Sequence, residues 1–262
     1  MSRRQEFLSY EGFRLDGRRP NEIRYLTLKI GDAPNADGSA TLQQGLTKVV
    51  AHVFGPRPLQ AASVGRAAGS MARQGEAIVN VIYRTASFAT IDRKRRTTGD
   101  RNSTERQLWL QRIIQDAVLT EMFPKSCIDV HLTILQEDGS ALAACANAAA
   151  AALVDAGIPI RDMFAACTVG LVNNQSPIVD LNHAEAEGCG GAVVTVAVYQ
   201  RRKELNYLCL EGKINIESFQ SAATLAIEGA VTAVRAMKTF IQEDGLEKCS
   251  KLESLSSSRE SH

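Results

Sequence analysis

Hydrophobic and polar residues alternate between Ile128 and Ile134, and this pattern predicts a β-strand because residues two apart share one face of a sheet. Asp138–Gly139–Ser140 follows as a tight turn, and an alanine-rich run extends from it to Val154. Gly157 lies just past that run, which predicts a helix with an ordinary glycine stop. Backbone N–H groups that converge at such a turn can hold an anion such as phosphate. The commoner alternative is a strand–helix connection that binds nothing.

Similar patterns predict the other elements of the chain. The remaining predicted strands are Tyr25–Ile30, Ser39–Gln43, Thr47–Phe54, Ile78–Tyr83, Met163–Val172, Val193–Tyr199 and Leu205–Glu211. A helix capped by Ser103 or Thr104 is expected to reach about Met122, and another to run from about Ile216 to Gln242. The small, polar segment Leu59–Gln74 predicts a long loop, and Asn173–Asn174 a turn. Residues 1–245 are expected to form a single domain, and the Ser-, Glu- and Lys-rich residues 246–262 a disordered tail.

Composition limits the class of protein. With 262 residues, 45% of them hydrophobic, the chain can bury a large core in one α/β or α+β domain or in two small ones. No apolar run is long enough to span a bilayer, so no membrane association is expected. The six cysteines are widely spaced without a C-x-x-C pair, which favours reduced thiols in an intracellular protein over disulfides or zinc.

Positive charge is concentrated in the first part of the chain. Residues 1–112 hold 19 Lys and Arg against 10 Asp and Glu, whereas residues 113–262 hold 11 against 19. The densest basic cluster lies between Asp92 and Arg101, and Arg14–Pro20 adds three arginines on an exposed turn. Both segments could grip the phosphates of a nucleic acid, or could be solvated surface charge. No aromatic residue interrupts the main cluster, so it predicts contacts with the phosphate backbone of a nucleic acid and no stacking on bases.

Acidic residues gather near the end of a predicted strand. Asp180, Glu185 and Glu187 could hold Mg²⁺ beside a phosphate, although exposed loop acids are far commoner than metal sites. His183 lies among them and could act as a general acid, but the four histidines show no metal-ligand spacing.

Taken together, these stretches resemble the ribonuclease PH family, and in particular its RNA exosome ring subunits. The similarity runs from Phe13 to about Ile241. Its specific parts are Phe13–Pro20, Val53–Pro56, Gly99–Arg101, Asp155–Pro159 with Arg161–Asp162, and Asp180–His183. The resemblance is to the eukaryotic counterpart of the subunit that carries the phosphorolytic site in archaeal rings.

The resemblance implies an α+β ribonuclease PH fold, like domain 2 of ribosomal protein S5, with mixed sheets packed against helices. It also implies a hexameric ring of related subunits, with RNA-binding cap subunits and an associated exoribonuclease, whose channel admits single-stranded RNA. Active relatives use phosphate to attack the 3′-terminal phosphodiester. Their turn carries a hydroxyl and a guanidinium that clasp this phosphate.

The chain departs from that pattern at both parts of the site. Gly139, Ser140 and Ala141 occupy the phosphate-binding turn, but Leu142 stands where the cation belongs. Asp180 and Glu185 match acidic positions, whereas Ala186 replaces an aspartate. Asp180, Glu185 and Ser140 are therefore interpreted as the remains of a catalytic site, with no metal and no cofactor.

We accordingly expect a non-catalytic exosome subunit that channels RNA for 3′→5′ processing and decay in the nucleus, including the nucleolus, and in the cytoplasm. The alternative is a Mg²⁺-dependent phosphorolytic exoribonuclease. The expected RNA-binding residues are Arg18, Arg57, Arg93, Lys94, Arg95, Arg96 and Arg101.

Overall fold

Two β-sheets enclose one alanine-rich helix in the computed structural model. The structure describes residues 9–10, 12–58, 76–93, 100–172, 176–188, 192–202 and 204–260. The predicted loop Leu59–Gln74 and the turn Asn173–Asn174 lie outside these ranges, as do Lys94, Arg95 and Arg96 of the basic cluster.

The first sheet has five strands in the order β1-β2-β3-β5-β4. They are β1 (Leu26–Ile30), β2 (Gly38–Gln44), β3 (Thr47–Pro58), β4 (Ile78–Thr85) and β5 (Ser126–Gln136). Neighbouring strands are antiparallel except β4 and β5, which run parallel. The predicted alternation in β5 is confirmed, since Ile128, Val130, Leu132 and Ile134 are all fully buried.

The second sheet has four antiparallel strands in the order β7-β6-β8-β9. They are β6 (Phe164–Val172), β7 (Ser176–Val179), β8 (Val193–Tyr199) and β9 (Leu205–Glu211). The hairpin predicted from Val193 to Glu211 is confirmed, and β6 occupies the interior position that its apolar sequence predicts.

The described part of the chain also contains four α-helices: α1 (Arg101–Ala117), α2 (Ala141–Asp155), α3 (His183–Gly188) and α4 (Ile216–Glu260). Helix α2 packs on β2 and β3 of one sheet and on β6 of the other, and α4 covers the far side of the second sheet. A helix between two sheets needs small residues on all sides, which explains the alanine run. Asn147 on α2 exchanges hydrogen bonds with the backbone N–H and carbonyl of Ala166 on β6, at 2.7 and 3.1 Å.

The predicted cap of α1 is wrong. The helix begins one turn earlier, with Asp100 as its N-cap, and the hydroxyls of Ser103 and Thr104 donate to the Asp100 carbonyl instead. It ends at Ala117, and a separate 3₁₀ turn covers Thr120–Met122. These hydroxyls point back toward the preceding turn, as serine and threonine often do inside helices.

The predicted disordered tail over residues 246–262 is also wrong, because α4 continues past Gln242 to Glu260. No proline interrupts this segment, and ion pairs one turn apart support it: Lys248 with Asp244 at 2.8 Å and Lys251 with Glu247 at 2.6 Å. Lys248 also reaches Asp155 at the end of α2, at 3.4 Å. The polar composition therefore belongs to a solvated helix.

Three smaller expectations can be compared with the structure. Part of the acidic loop predicted over Asn182–Gly191 is the short helix α3. The five described cysteines are free thiols, and all except Cys249 are buried. Among the described residues, no helix combines the length and the apolar character that crossing a membrane requires.

Gly38 offers a test of the close packing between β2 and α2. A Cβ atom at this position would lie 2.4 Å from the Ala152 carbonyl oxygen and 2.4 Å from the Ala156 backbone nitrogen. Gly38→Ala should therefore push sheet and helix apart and lower the free energy of unfolding by about 1–3 kcal/mol in denaturant titrations.

The matched control is Gly245→Ala on α4, where nothing lies within 4 Å of the added atom. The control should be neutral or stabilising by up to about 1 kcal/mol. Equal stability of the two variants would contradict the packing argument.

Candidate functional site

The turn between β5 and α2, residues 137–140, packs closely against residues 180–182, which follow β7. Gly139 has φ 76° and Ser140 has φ 50°, so both lie in the left-handed region just before α2. A Cβ atom on Gly139 would come within 2.3 Å of the Leu181 carbonyl oxygen. Glycine is therefore required here both by its backbone conformation and by this close approach.

The structure retains only the backbone part of the predicted anion site. In the described part of the chain, no group accepts a hydrogen bond from the N–H groups of Ala141, Leu142 or Ala143, as is usual in the first turn of a helix. The Ser140 hydroxyl, in contrast, donates to the Leu181 carbonyl at 3.1 Å. Leu142 packs against the hydrophobic core that lines the first sheet. The turn thus lacks a free side-chain cation or hydroxyl donor for a phosphate.

Asp180 is completely buried and is held by Arg24 on both of its carboxylate oxygens. Arg24 donates from Nε to Oδ2 at 3.0 Å and from Nη2 to Oδ1 at 2.8 Å, and its backbone N–H adds a bond to Oδ2 at 2.8 Å. Burial alone would raise the pKa of Asp180, but the hydrogen bonds and charge of Arg24 outweigh it, and the pKa is lowered. Asp180 is therefore ionised at neutral pH and satisfied within the protein.

Arg24 also joins this carboxylate to the β5–α2 turn. Its Nη1 donates to the Asp138 carbonyl at 2.6 Å, and its Nη2 donates to the Gly139 carbonyl at 3.2 Å. The Thr47 hydroxyl supports the same turn by donating to the Gly139 carbonyl at 3.0 Å. One guanidinium therefore fixes the turn and the segment after β7 relative to each other.

Glu185 on α3 forms a second buried pair, with Arg14. The Arg14 Nε donates to Glu185 Oε1 at 2.8 Å, and its Nη2 bonds Oε2. Arg14 also donates to the carbonyls of Val179 and Asp180, and the Asn182 N–H donates to Glu185 Oε2 at 2.9 Å. The second carboxylate is thus enclosed as completely as the first.

These acids do not fit a Mg²⁺ site. The oxygens of Asp180 and Glu185 accept from arginines, and Ala186 supplies no ligand. Glu187 is exposed and pairs with His183 one turn earlier, at 3.4 Å. Among the residues that the structure describes, no group of three or more His, Cys, Asp or Glu is arranged to hold a metal ion.

The expected RNA-binding residues occupy different environments, and their role stays a prediction. Only 14% of the Arg18 side chain is exposed, and it bonds the Asp180 carbonyl and Asn182 Oδ1. Arg57, at the end of β3, lies over the Phe54 ring and 3.7 Å from Asp37. Arg93 and Arg101 are exposed.

The buried roles of Arg14 and Arg24 were missed by the sequence analysis. Arg14 lies in a turn whose sequence predicts exposed arginines, and Arg24 precedes β1 without any motif around it. Their partners lie 171 and 156 residues away in sequence, so local pattern carries no signal of either pair. A resemblance that assigns Asp180 and Glu185 to a catalytic site also diverts attention from a structural role.

Comparison with family models shows where the chain belongs. Residues 22–159 match domain 1 of the 3′ exoribonuclease family, and residues 162–229 match its domain 2. The chain therefore belongs to this family, the ribonuclease PH family. The first match spans β1 to α2, and the second begins just before β6. The single-domain description stays a prediction.

Within this family, the chain is similar to exosome components of the RRP41 type. It is 40% identical over 239 residues to the Exosome complex component RRP41 homolog of Arabidopsis thaliana, covering 91% of this chain and 95% of that protein. It is 38% identical over 238 residues to human Exosome complex component RRP41, covering 90% and 91% of the two chains.

Solved structures confirm the α+β ribonuclease PH fold. Rice Rrp46 superposes with a TM-score of 0.74 at 24% identity, covering 87% of this chain and 100% of that chain. A chain of the Archaeoglobus fulgidus exosome with RNA bound to the active site gives a TM-score of 0.70 at 22% identity, covering 87% and 92%.

Removal of one partner of the Arg24–Asp180 pair should be strongly destabilising, because the remaining buried charge keeps only a more distant counter-ion. Arg24 would keep Asp138 at 3.6 Å, and Asp180 would keep Arg18 at 4.0 Å. Asp180→Asn keeps the shape and tolerates the positive φ of 55°, yet it should cost about 3–5 kcal/mol in chemical denaturation. The double variant Arg24→Gln with Asp180→Asn should cost clearly less than the sum of the two single variants.

The control for this cycle is the exposed pair of Arg202 and Glu204, 3.8 Å apart. Arg202→Gln should change stability by no more than about 0.5 kcal/mol. Strict additivity in the Arg24–Asp180 cycle would show that the two residues do not act as a pair.

Proposed function

We propose that this protein is an RRP41-type subunit of an RNA exosome ring that guides RNA 3′ ends to an associated exoribonuclease and performs no phosphorolysis itself. It would assemble with other ribonuclease-PH-like subunits and RNA-binding cap subunits, in the nucleus, including the nucleolus, and in the cytoplasm. We infer the absence of phosphorolysis from the hydrogen bonds of the two acids: Arg24 binds Asp180, and Arg14 binds Glu185.

Electrostatics supports this proposal. Phosphorolysis brings inorganic phosphate against a phosphodiester, so cations must offset the repulsion of two anions. Two cations of this region, Arg24 and Arg14, already neutralise Asp180 and Glu185. Leu142, which stands where the resemblance places a cation, is partly buried against the core instead.

One observation favours the alternative, a phosphorolytic exoribonuclease. The free N–H groups at the start of α2 form a nest for an anion, and the exposed His183–Glu187 pair lies beside it, since the His183 N–H contacts Asp138 Oδ1 at 3.3 Å. Backbone amides can hold one anion, but they supply no full positive charge for two. The non-catalytic function is therefore the better supported.

The decisive assay incubates the purified ring with RNA, Mg²⁺ and inorganic phosphate and looks for nucleoside diphosphates by chromatography. We expect none beyond the level of a phosphate-free control. Asp180→Ala is a poor test of catalysis, because it also removes a buried ion pair and would affect folding. The site is therefore tested with Glu187→Gln, since the Glu187 side chain is 73% exposed. Phosphate-dependent diphosphates that vanish in Glu187→Gln would establish the phosphorolytic alternative.

RNA binding by the assembled ring should depend on the basic cluster. Arg93→Gln combined with Arg101→Gln, both at exposed positions, should weaken binding of all RNA sequences alike. The slope of log Kd against log salt concentration should also decrease by about 0.7 for each RNA phosphate that an arginine no longer neutralises. Arg235→Gln, an exposed position on α4, is the matched control and should leave both quantities unchanged. An unaltered salt slope in the double variant would show that these arginines are solvated surface charge.

A further inference from the structure

Phe88 carries an exposed phenyl group in the connection that follows β4. The residue is 69% exposed, whereas Ala89 beside it is buried in the core that lines the first sheet. Single exposed apolar residues are common on proteins, so exposure alone assigns no role to this side chain. What the phenyl group can bind follows from its backbone and its neighbours.

The backbone on both sides of Phe88 is fixed to the end of β5. The Ala86 N–H donates to the Ile134 carbonyl at 2.9 Å, and the Ala89 N–H donates to the Ala86 carbonyl at 3.0 Å. The Glu137 N–H in turn donates to the Ala89 carbonyl at 2.9 Å. An exposed side chain on a fixed backbone has only its own rotamers to lose on binding, so ordering it costs little binding free energy.

These bonds place Phe88 near groups that can hold phosphate. Glu137, which bonds Ala89, is the first residue of the turn that leads to the free N–H groups of α2. Arg106 of α1 lies 3.6 Å from Glu137, and Arg93 follows Phe88 by five residues in the basic cluster. The fold thus brings the segment of the phenyl group between the basic cluster and the turn.

We propose that Phe88 stacks against one nucleobase of an RNA whose phosphates contact the arginines of the basic cluster. This inference rests on the proposed RNA-guiding function. Every base has a flat π-face, so such a contact adds affinity without selecting a sequence, which suits a subunit that guides RNA. The cluster from Asp92 to Arg101 contains no aromatic residue, and the structure supplies one from just outside it.

A protein partner is the poorer occupant of this surface. Ile91, 90% exposed, is the other exposed large apolar residue of the described segment 84–93, and Thr90, Asp92 and Arg93 lie around it in sequence. Contact with protein is marked by a contiguous apolar patch. Two apolar side chains among polar and charged residues are not such a patch, whereas an aromatic side chain beside cations is typical of surfaces that bind single-stranded nucleic acid.

Loss of the phenyl group should weaken RNA binding without changing its salt dependence. In the assembled ring, Phe88→Ala should raise the Kd for a fluorescent oligoadenylate by about 5- to 150-fold, the contribution of one base–aromatic stack. The slope of log Kd against log salt concentration should stay the same, because no charge is removed. An unchanged Kd, beside weaker binding by the Arg93 and Arg101 double variant, would overturn the stacking and leave the RNA-guiding function standing.

Three further substitutions separate stacking from simple apolar contact. Phe88→Trp keeps a flat π-face and should bind RNA at least as tightly as the unmodified protein. Phe88→Leu keeps an apolar side chain without a π-face and should bind almost as weakly as Phe88→Ala. Ile91→Ala, at a 90% exposed position of the same segment, is the matched control and should change the Kd by less than about twofold. Full affinity of Phe88→Leu would contradict the stacking.

Abasic nucleotides test the partner of the phenyl group. One abasic nucleotide, moved stepwise along the oligoadenylate, should weaken binding to the unmodified ring most at the position of the stacked base. At that position the abasic nucleotide should have no further effect on Phe88→Ala, because the same contact is already lost. Additive effects of the two changes at every position would overturn the proposal.

Assembly and folding give the remaining outcomes. Phe88→Ala should have the denaturation midpoint of Ile91→Ala and should enter the ring normally by size-exclusion and light scattering, since the phenyl group is exposed. A folded Phe88→Ala chain that fails to assemble would show that a neighbouring protein covers the phenyl group, and would refute the stacking. Diphosphate release in the phosphorolysis assay would refute the non-catalytic function without affecting this result. An unmodified ring that binds no oligonucleotide would refute both proposals.

Discussion

The buried pair of Arg24 and Asp180 is the interaction on which the candidate site depends. Arg24 precedes the first sheet, Asp180 follows β7 of the second, and the same guanidinium holds the turn that opens α2. Burying two charges costs desolvation free energy, and here that cost is offset by the bidentate hydrogen bonding of the pair and by hydrogen bonds from Arg24 to backbone carbonyls. This geometry makes the relative position of the two sheets sensitive to one side chain.

The alanine helix imposes a complementary constraint. α2 touches both sheets, so its side chains must be small, and the helix itself gains little from large apolar groups. Apolar volume comes instead from the strands on either side, where valine, isoleucine and leucine predominate. Short-range polar links, such as Asn147 to Ala166, then fix the rotation of the helix between the sheets.

The fold was predictable where periodicity is strong. The alternation in β5, the apolar run of β6 and the alanine run of α2 each report burial directly, and their ends were predicted to within about two residues. The extension of α4 was not predictable from polarity, because a helix supported by ion pairs has the same composition as a disordered tail. The site was harder still, since Arg14 and Arg24 meet their carboxylates only through tertiary structure.

The two buried pairs also bear on what an acidic side chain at a family's catalytic position indicates. Removal of Asp180 would leave the buried Arg24 with only the more distant carboxylate of Asp138, at 3.6 Å, whereas Leu142 and Ala186 leave no buried charge unpaired. Substitutions at the turn and on α3 should therefore be tolerated more readily than a substitution of Asp180. The presence of an acid at a family's catalytic position is consequently weak evidence for activity. The direction of its hydrogen bonds is the better guide, and here both carboxylates point into the protein.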